Sequence, residues 1–335
     1  GEGGLTPGVT HESLNSAYGL GLSNLHFLVD WNDFGIDDRP FSSVVYGTPE
    51  DWFAPHGWRV FGAQNGSDWE STHTALQEMA FDENSEGTPA MAWFKTRKGR
   101  GYGVYDNKSH GAAHKFNNPT YWQTKQEFTD TYGIQFEGMG ETGPVTKAER
   151  TEQARINMEK VFQVFDQDPE LLNYLADRLV ELGDGVPEDN ERVWIDTTRN
   201  PLNDPVLTDL KALPPELFVQ PGEVAPNRGG FAKYASYLNA YVSKNYGRPL
   251  VLAMSADLAD STNISGFGKA FGDTPGYGFY DRNDNTKGTM LPQAITEFAN
   301  AGICTGIAAT NFSKTPEAEF NGFFAACSTY GSFSY

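Results

Sequence analysis

Residues 58–95 read WRVFGAQNGSDWESTHTALQEMAFDENSEGTPAMAWFK, and this stretch indicates the fold. The apolar runs at 58–63 and 90–95 have the length of buried strands, and residues 68–81 between them have helical spacing. A third apolar run, LHFLVD at 25–30, follows a helical stretch at 11–20 for which Thr10 is the expected N-cap. Strands that alternate with helices in this way form parallel sheets with crossover helices.

A second alternating block begins near Phe231, with a helix to 244, a strand at 249–254, a helix at 292–309 and a further helix from 320 to the end. Two helices are predicted between the blocks, at 147–165 and 169–182, followed by a Pro- and Asp-rich stretch to residue 228. These patterns divide the chain into an α/β domain at 1–150, a helical and irregular linker at 151–228, and a second α/β domain at 229–335.

Composition limits the classes of function. The 335 residues include 45 aromatic side chains (7 Trp, 15 Tyr and 23 Phe), which excludes wholesale disorder, and the sequence contains no long apolar run that would predict a transmembrane helix. A net charge of −19 argues against nucleic acid or an anionic membrane as the main partner. An anionic ligand would need a local basic or N–H-rich pocket. Cys304 and Cys327 are too few for a disulfide framework and fit a reducing cytoplasm.

One histidine stands out from the other five. His110 lies between Ser109 and Gly111 in a basic, Gly-rich loop at 96–118, where a long loop can present a catalytic side chain. The others receive ordinary structural interpretations, with His26 expected in the core of the first strand and the rest on helices, turns or loops: His11, His56, His73 and His114.

A possible metal and phosphate site joins two distant turns. Glu2 lies in a Gly-Glu-Gly turn, and Asn32 follows the strand that ends at Asp30. If both turns lie at the carboxyl edge of one parallel sheet, they converge on the crevice where such sheets bind ligands. A carboxylate oxygen, an amide oxygen and a backbone carbonyl suit Mg²⁺ or Ca²⁺. Gly1 and Gly3 would let backbone N–H groups approach a diphosphate.

A Gly-Asp-Gly turn followed at this spacing by an Asn after a strand is the thiamine diphosphate motif, and the chain resembles the transketolases. The matching stretches occur in the family's order: GEGGLTPGVTHES, LHFLVDWNDFGID, HGWRVFG, the loop from Lys95 to Gly103, NKSHGA, SADLADST and ITEFANAGICTGIAA. The resemblance implies a partial diphosphate-binding domain at 1–150 and a partial pyrimidine-binding domain at 229–335. It also implies that the family's N-terminal segment and C-terminal domain are absent from this sequence.

The resemblance implies roles for individual residues. The metal ligands would be Glu2, Asn32 and the backbone carbonyl of Phe34. Glu297 would contact the aminopyrimidine ring from a largely apolar site, and His110 would lie near the diphosphate and the substrate. The remaining positions would hold the sugar hydroxyls and phosphate or enclose the pyrimidine: Asp257, Ser261 and Arg228 for the substrate, and Phe324 and Tyr330 for the pyrimidine, with Cys327 replacing a third aromatic residue.

The implied activity is transfer of a two-carbon ketol unit between sugar phosphates, with thiamine diphosphate and a divalent metal in a homodimer. Three departures keep alternatives open: Glu2 stands for the family's Asp, Pro7 stands for a glutamate that couples the two active sites, and the family's N-terminal stretch with its further histidines is missing. The alternatives are a 2-oxo-acid decarboxylating E1-type component of the same superfamily, and a truncated or degenerate non-catalytic subunit that needs a complementing chain. A metal-binding α/β protein without catalysis is the third.

Overall fold

The computed structural model describes residues 1–35, 39–83, 86–103, 106, 114–184, 200–310, 320 and 322–333. In this part of the chain, six strands form two parallel sheets of three strands each, with helices around them. The predicted fold class, an α/β protein with two domains of parallel sheet flanked by helices, is confirmed.

The first sheet has the strand order β1–β3–β2. Its strands are β1 (His26–Trp31), β2 (Arg59–Ala63) and β3 (Ala90–Lys95), with β3 in the centre. The first four residues of β3 are buried, as expected for a strand paired on both sides. The surrounding helices are α1 (Gly8–Gly19), α2 (Pro49–Phe53), α3 (Trp69–Phe81) and α4 (Pro119–Tyr132).

Local signals explain where α3 begins and where α1 begins. The Asp68 carboxylate accepts the backbone N–H of Ser71 at 2.8 Å, so Asp68 is the N-cap of α3. The prediction that Thr10 caps the first helix is wrong, because α1 begins at Gly8 after Pro7. Proline presets the backbone at a helix start and lacks an N–H that would need a partner there.

The prediction that the first strand is buried, with His26 in the core, is also wrong. Within the described residues β1 lies at the edge of its sheet, and only Val29 of its six residues is buried. His26 is exposed, and Leu28 keeps 58% of its surface accessible. An apolar run identifies a strand but cannot reveal how many neighbours cover it.

The second sheet has the strand order β5–β4–β6, with β4 (Val251–Ser255), β5 (Met290–Leu291) and β6 (Phe324–Ser328). The other elements of this half are α7 (Pro205–Thr208), α8 (Asn227–Tyr246) and α9 (Glu297–Ala308). The buried Asn239 side chain of α8 bonds four backbone groups: its Nδ2 donates to the carbonyls of Val251 and Phe267, and its Oδ1 accepts from the N–H groups of Leu250 and Val251.

The C-terminal prediction needs correction. Residues from 320 onward were expected to form a helix, but β6 pairs with β4 over five residues, from Val251 with Phe324 to Ser255 with Ser328. The helix expected from residue 292 begins at Glu297. Pairing with a strand about seventy residues earlier in the chain overrides the local preference of an Ala-rich segment for helix.

The two sheet-containing halves contact each other through α1 and α9 and the loop before α9. Ser16 donates to the Gln293 side chain at 2.7 Å, and the Tyr280 hydroxyl donates to the Leu20 carbonyl at 2.7 Å. The Arg282 guanidinium lies 4.4 Å from the centre of the Tyr18 ring. These polar contacts fix the position of α9 relative to the first sheet.

Two further helices lie between the halves, close to their predicted positions: α5 (Lys147–Asp166) and α6 (Pro169–Asp184). Thr146 and Glu149 form a capping box at the start of α5. Among the described residues, no helix combines the length and apolar character needed to cross a membrane.

Candidate functional site

The first candidate site is built around a buried carboxylate. Glu2 begins a short 3₁₀ helix, Glu2–Leu5, and only 7% of its surface is accessible. Its Oε2 accepts the backbone N–H of Asn32 at 3.2 Å. Its Oε1 is buried and has no hydrogen-bond partner among the described residues. Because burial of an unpaired carboxylate oxygen is costly, this atom indicates a place for a cation or a donor group.

The loop after β1 is held in one shape by its own side chains. Asp33 adopts a left-handed backbone conformation with φ +67°, and its carboxylate accepts both the N–H and the hydroxyl of Ser42. The Asn32 Oδ1 accepts the N–H of Phe34 at 2.9 Å, and the Asn32 Nδ2 donates to Asp30 at 2.8 Å. The loop therefore places the predicted ligands Asn32 and Phe34 beside Glu2, at the carboxyl edge of the first sheet.

The Phe41 ring lies between two glycines of the site. A Cβ atom added at Gly3 would lie 2.5 Å from the ring, and one added at Gly35 would lie 2.6 Å from it. Both distances are shorter than any real carbon contact, so the ring occupies the space that these two positions leave free. The glycines of the turn thus admit an aromatic wall for the site.

Glu2 lines a small cavity of about 30 Å³ together with Asp33 and Phe41. Next to it, and sharing Phe41, is an open cleft of about 840 Å³. It is lined by Gly1, Gly3, Gly4, Asn32, Phe34, Gly35, Arg39, Pro40, Phe41, Val44 and Lys98. Two of the lining side chains are cationic, and the Lys98 Nζ donates to the Gly35 carbonyl. In a chain of net charge −19, two cations beside a glycine turn form the local basic pocket that an anionic ligand requires.

Sequence reasoning missed Arg39, Phe41 and Lys98 as site residues. The one available signal was that Lys98 lies in the basic, Gly-rich loop at 96–118. Arg39 and Phe41 lie in a segment without a motif, and only the fold of the loop after β1 brings them to the cleft.

The donor atoms present suit a hard cation. The described residues include no group of three or more His, Cys, Asp or Glu side chains that could hold a metal ion. A cation here would depend on the Glu2 carboxylate, the Asn32 amide oxygen and a backbone carbonyl such as that of Phe34. Such oxygen donors are the ligands of Mg²⁺ and Ca²⁺, with water or phosphate oxygens completing the shell. The unpaired Glu2 Oε1 is the observation that fits a cation at this point.

Glu297 lies in a second group of predicted site residues, at the carboxyl edge of the other sheet. It is the first residue of α9 and is half-buried, and its Oε1 accepts the hydroxyl of Thr329, which directly follows β6, at 3.0 Å. Its site was expected to be largely apolar, but the neighbouring Phe298 keeps 66% of its surface accessible within this chain.

The start of α9 is held by the first half of the chain. The Glu12 Oε2 on α1 accepts the backbone N–H of Ala299 at 2.8 Å. This N–H belongs to the first turn of α9, where the amides lack partners inside the helix and a carboxylate is favourable. Sequence reasoning missed Glu12, because nothing local connects it with a helix 287 residues away.

Two of the three predicted substrate residues are in contact. The Arg228 guanidinium, in the first turn of α8, donates to the Ser261 carbonyl at 3.1 Å. Asp257 follows β4 in a left-handed conformation with φ +58° and is exposed. The structure thus groups Arg228 and Ser261 near the edge where Asp257 is presented.

Phe324 begins β6 and Tyr330 follows its last residue, so the two predicted pyrimidine residues lie at opposite ends of this strand, both partly exposed. The Phe324 ring stacks on Phe320, with centroids 5.3 Å apart. Cys327 of β6 lies beside Cys304 of α9, and burial together with this neighbour raises the pKa of the Cys304 thiol to about 12. The catalytic prediction for His110 lies outside the described residues.

Fold and cleft together define an α/β protein in which a glycine turn, oxygen donors and two cations meet at the carboxyl edge of a parallel sheet. The chain belongs to the transketolase family: the family model for the transketolase thiamine diphosphate-binding domain matches residues 1–181. The predicted resemblance is therefore confirmed.

Solved structures agree with this assignment at the level of the fold. The chain is similar to a transketolase from Campylobacter jejuni, with a TM-score of 0.55, 19% identity and coverage of 98% of this chain and 42% of that one. A transketolase from Leishmania mexicana has a TM-score of 0.57 and 18% identity, with coverage of 98% of this chain and 42% of that one. A Pichia stipitis transketolase in complex with xylulose 5-phosphate has a TM-score of 0.52 and 21% identity, with coverage of 91% of this chain and 40% of that one.

The chain thus spans about two fifths of the length of these solved transketolases. The comparison with curated proteins gives no match.

Proposed function

We propose that this chain binds thiamine diphosphate and a divalent metal in the cleft beside Glu2, and that it serves a transketolase-type transfer of two-carbon ketol units between sugar phosphates. The observation that supports this most directly is the buried, unpaired Oε1 of Glu2 at a glycine turn. Asn32 lies within hydrogen-bond distance of Glu2, and the cationic Lys98 and Arg39 line the same cleft.

The metal, Mg²⁺ or Ca²⁺, would be held by Glu2, Asn32 and the Phe34 carbonyl. Glutamate in place of aspartate adds one methylene, and the 3₁₀ turn that follows Glu2 buries the longer carboxylate. The backbone N–H groups at Gly1 and Gly3 and the cations of Lys98 and Arg39 would offset the charge of the diphosphate.

When bound, thiamine diphosphate supplies the nucleophile and the electron sink for cleaving a carbon–carbon bond next to a carbonyl. Glu297 would hold a proton on a carboxylate oxygen against the aminopyrimidine ring, and the Thr329 hydroxyl orients that carboxyl group. Phe324 and Tyr330 would flank the ring.

The substrate would be bound at the edge of the second sheet. Asp257 would bind sugar hydroxyls, while Ser261 and Arg228 would bind the sugar phosphate. His110 is proposed to carry protons at the substrate oxygen. A homodimer, in which one subunit's first domain faces its partner's second domain, is part of this proposal.

Calorimetric titration of thiamine diphosphate in the presence of Mg²⁺ tests the cofactor site. We expect saturable, metal-dependent binding that Glu2→Gln weakens at least about tenfold, because the amide loses the charge that attracts the metal. Glu70→Gln, in the first turn of α3 and outside the cleft, is the matched control and should bind like the unaltered protein. Equal affinity in Glu2→Gln would refute the cofactor site, and no binding at millimolar cofactor would refute a site formed by this chain alone.

Donor choice tests the reaction. A ketose phosphate with an aldose acceptor should give ketol transfer, and Glu297→Gln should abolish it while thiamine diphosphate still binds. Turnover of pyruvate instead would favour the E1-type alternative. Binding that appears only after a second polypeptide with complementary transketolase segments is added would favour the non-catalytic subunit.

A further inference from the structure

Two histidines outside the cleft face each other across two elements. His11 lies on α1, and His56 ends a short 3₁₀ helix, Ala54–His56. The His11 Nδ1 and the His56 Nε2 are 3.3 Å apart, and the ring centroids are 5.4 Å apart with an angle of 54° between the planes. Neither histidine contributes to the proposed cofactor site.

Neighbouring side chains orient both rings. The His56 Nδ1 lies 2.9 Å from the Asn15 Oδ1, and because an amide oxygen only accepts, this nitrogen carries the proton. The Nε2 that faces His11 therefore presents a lone pair. Burial and the nearby His11 lower the pKa of His56, which favours the neutral ring. His11 stacks on Trp52, with centroids 5.6 Å apart.

The separation of the facing nitrogens suits a shared metal ion. Zinc–imidazole bonds are about 2.0–2.1 Å long, so two nitrogens on one tetrahedral ion lie about 3.3–3.4 Å apart. The observed 3.3 Å matches the tetrahedral edge.

We propose that His11 and His56 bind a divalent transition-metal ion of the imidazole-preferring class, with Zn²⁺ as the representative ion. His11 is exposed, so the ion has a path from solvent and water can complete its coordination. The Asn15 amide oxygen on the opposite nitrogen of His56 is the outer partner that metal-bound histidines commonly have. The nitrogen donors distinguish this site from the oxygen donors around Glu2.

Such an ion would connect α1 with the 3₁₀ helix 45 residues further along the chain. It binds only the folded arrangement of the two rings and therefore stabilises that arrangement.

Zinc titration of the full chain, with millimolar Mg²⁺ present to occupy the oxygen site, tests the proposal. We expect one equivalent of Zn²⁺ at micromolar affinity that is lost in His11→Gln and in His56→Gln, together with its upward shift of the Tm. His73→Gln, an exposed histidine on α3, is the matched control and should retain that equivalent. Zinc held by Cys304 and Cys327 would be unchanged in all of these variants and so does not enter the comparison.

Copper substitution gives a second, independent readout. Bound Cu²⁺ should show an electron paramagnetic resonance spectrum with two nitrogen ligands, reduced to one in His11→Gln, whose exposed position keeps folding intact. Asn15→Ala should weaken the affinity about tenfold, and Asn15→Asp should restore it. Equal zinc stoichiometry in unaltered protein, His11→Gln and His56→Gln, or loss in only one of the two variants, would overturn the proposal.

Discussion

Replacing Gly3 with alanine tests the packing that shapes the cleft. The new Cβ would lie 2.5 Å and 2.7 Å from two carbons of the Phe41 ring. Carbon atoms in contact are about 3.5–4.0 Å apart, so the ring must move by about 1 Å. The ring cannot move toward Gly35, because it already occupies the space where a Cβ at that position would lie, 2.6 Å from a ring carbon. We therefore expect the ring to move into the open cleft.

The expected cost is that of overpacking, about 1–3 kcal/mol in the free energy of unfolding. Gly4→Ala is the matched control, since Gly4 belongs to the same 3₁₀ helix and no described atom lies within 4 Å of its added Cβ. At that position alanine should raise the free energy of unfolding by about 0.4–1 kcal/mol, because it restricts the unfolded chain. The two alanine variants should therefore shift stability in opposite directions.

Calorimetric melting without cofactor measures this difference, and thiamine diphosphate titration measures its effect on the cleft. Gly3→Ala should melt several degrees below Gly4→Ala, and the displaced Phe41 ring should weaken cofactor binding in Gly3→Ala. If Gly3→Ala melts at or above the temperature of Gly4→Ala, the reasoning about the ring between two glycines is wrong.

Three further predictions concern other parts of the molecule. Glu12→Ala should lower the free energy of unfolding by about 0.5–2 kcal/mol, because the Ala299 N–H loses its acceptor. Glu12→Gln keeps an acceptor oxygen and should retain most of the stability. Urea unfolding measures both variants, and equal losses would contradict the capping role. Asn239→Leu should cost more than about 4 kcal/mol, because four buried backbone groups lose their partner; a soluble variant with a near-normal Tm would refute this. The raised pKa of Cys304, about 12, keeps its thiol protonated at pH 8–9, so iodoacetamide should modify the exposed Cys327 first. In the unfolded chain the Cys304 thiol ionises near the ordinary value of 9.0. The contribution of Cys304 to the free energy of unfolding is therefore present below pH 9 and is lost as the pH rises toward 12. Equal alkylation rates in mass spectra would contradict the difference between the thiols.

Two features of the structure follow from the sequence, one for a topological reason and one from a local preference. Asn32 follows β1 at the carboxyl edge of the sheet, and its meeting with Glu2 was expected on the condition that the Gly-Glu-Gly turn lies at the same edge. The role of Asp68 at the start of α3 followed from a local capping preference.

Other features depend on residues that are distant in sequence. Phe324–Ser328 pairs with β4, and nothing in the local sequence FAACS specifies that partner. The contacts of Glu12 with Ala299 and of His11 with His56 each join separate elements, and no local pattern connects their members.

The sequence by itself therefore determined the α/β class, the first sheet's strands and the family, because these depend on local periodicity and short motifs. Only the tertiary structure decided which surfaces are buried and which side chains meet. Arg39, Phe41 and Lys98 reach one cleft only after the loops have folded over the first sheet. Burial and contact are properties of packed neighbours, and neighbours from distant segments are defined only once the chain has folded.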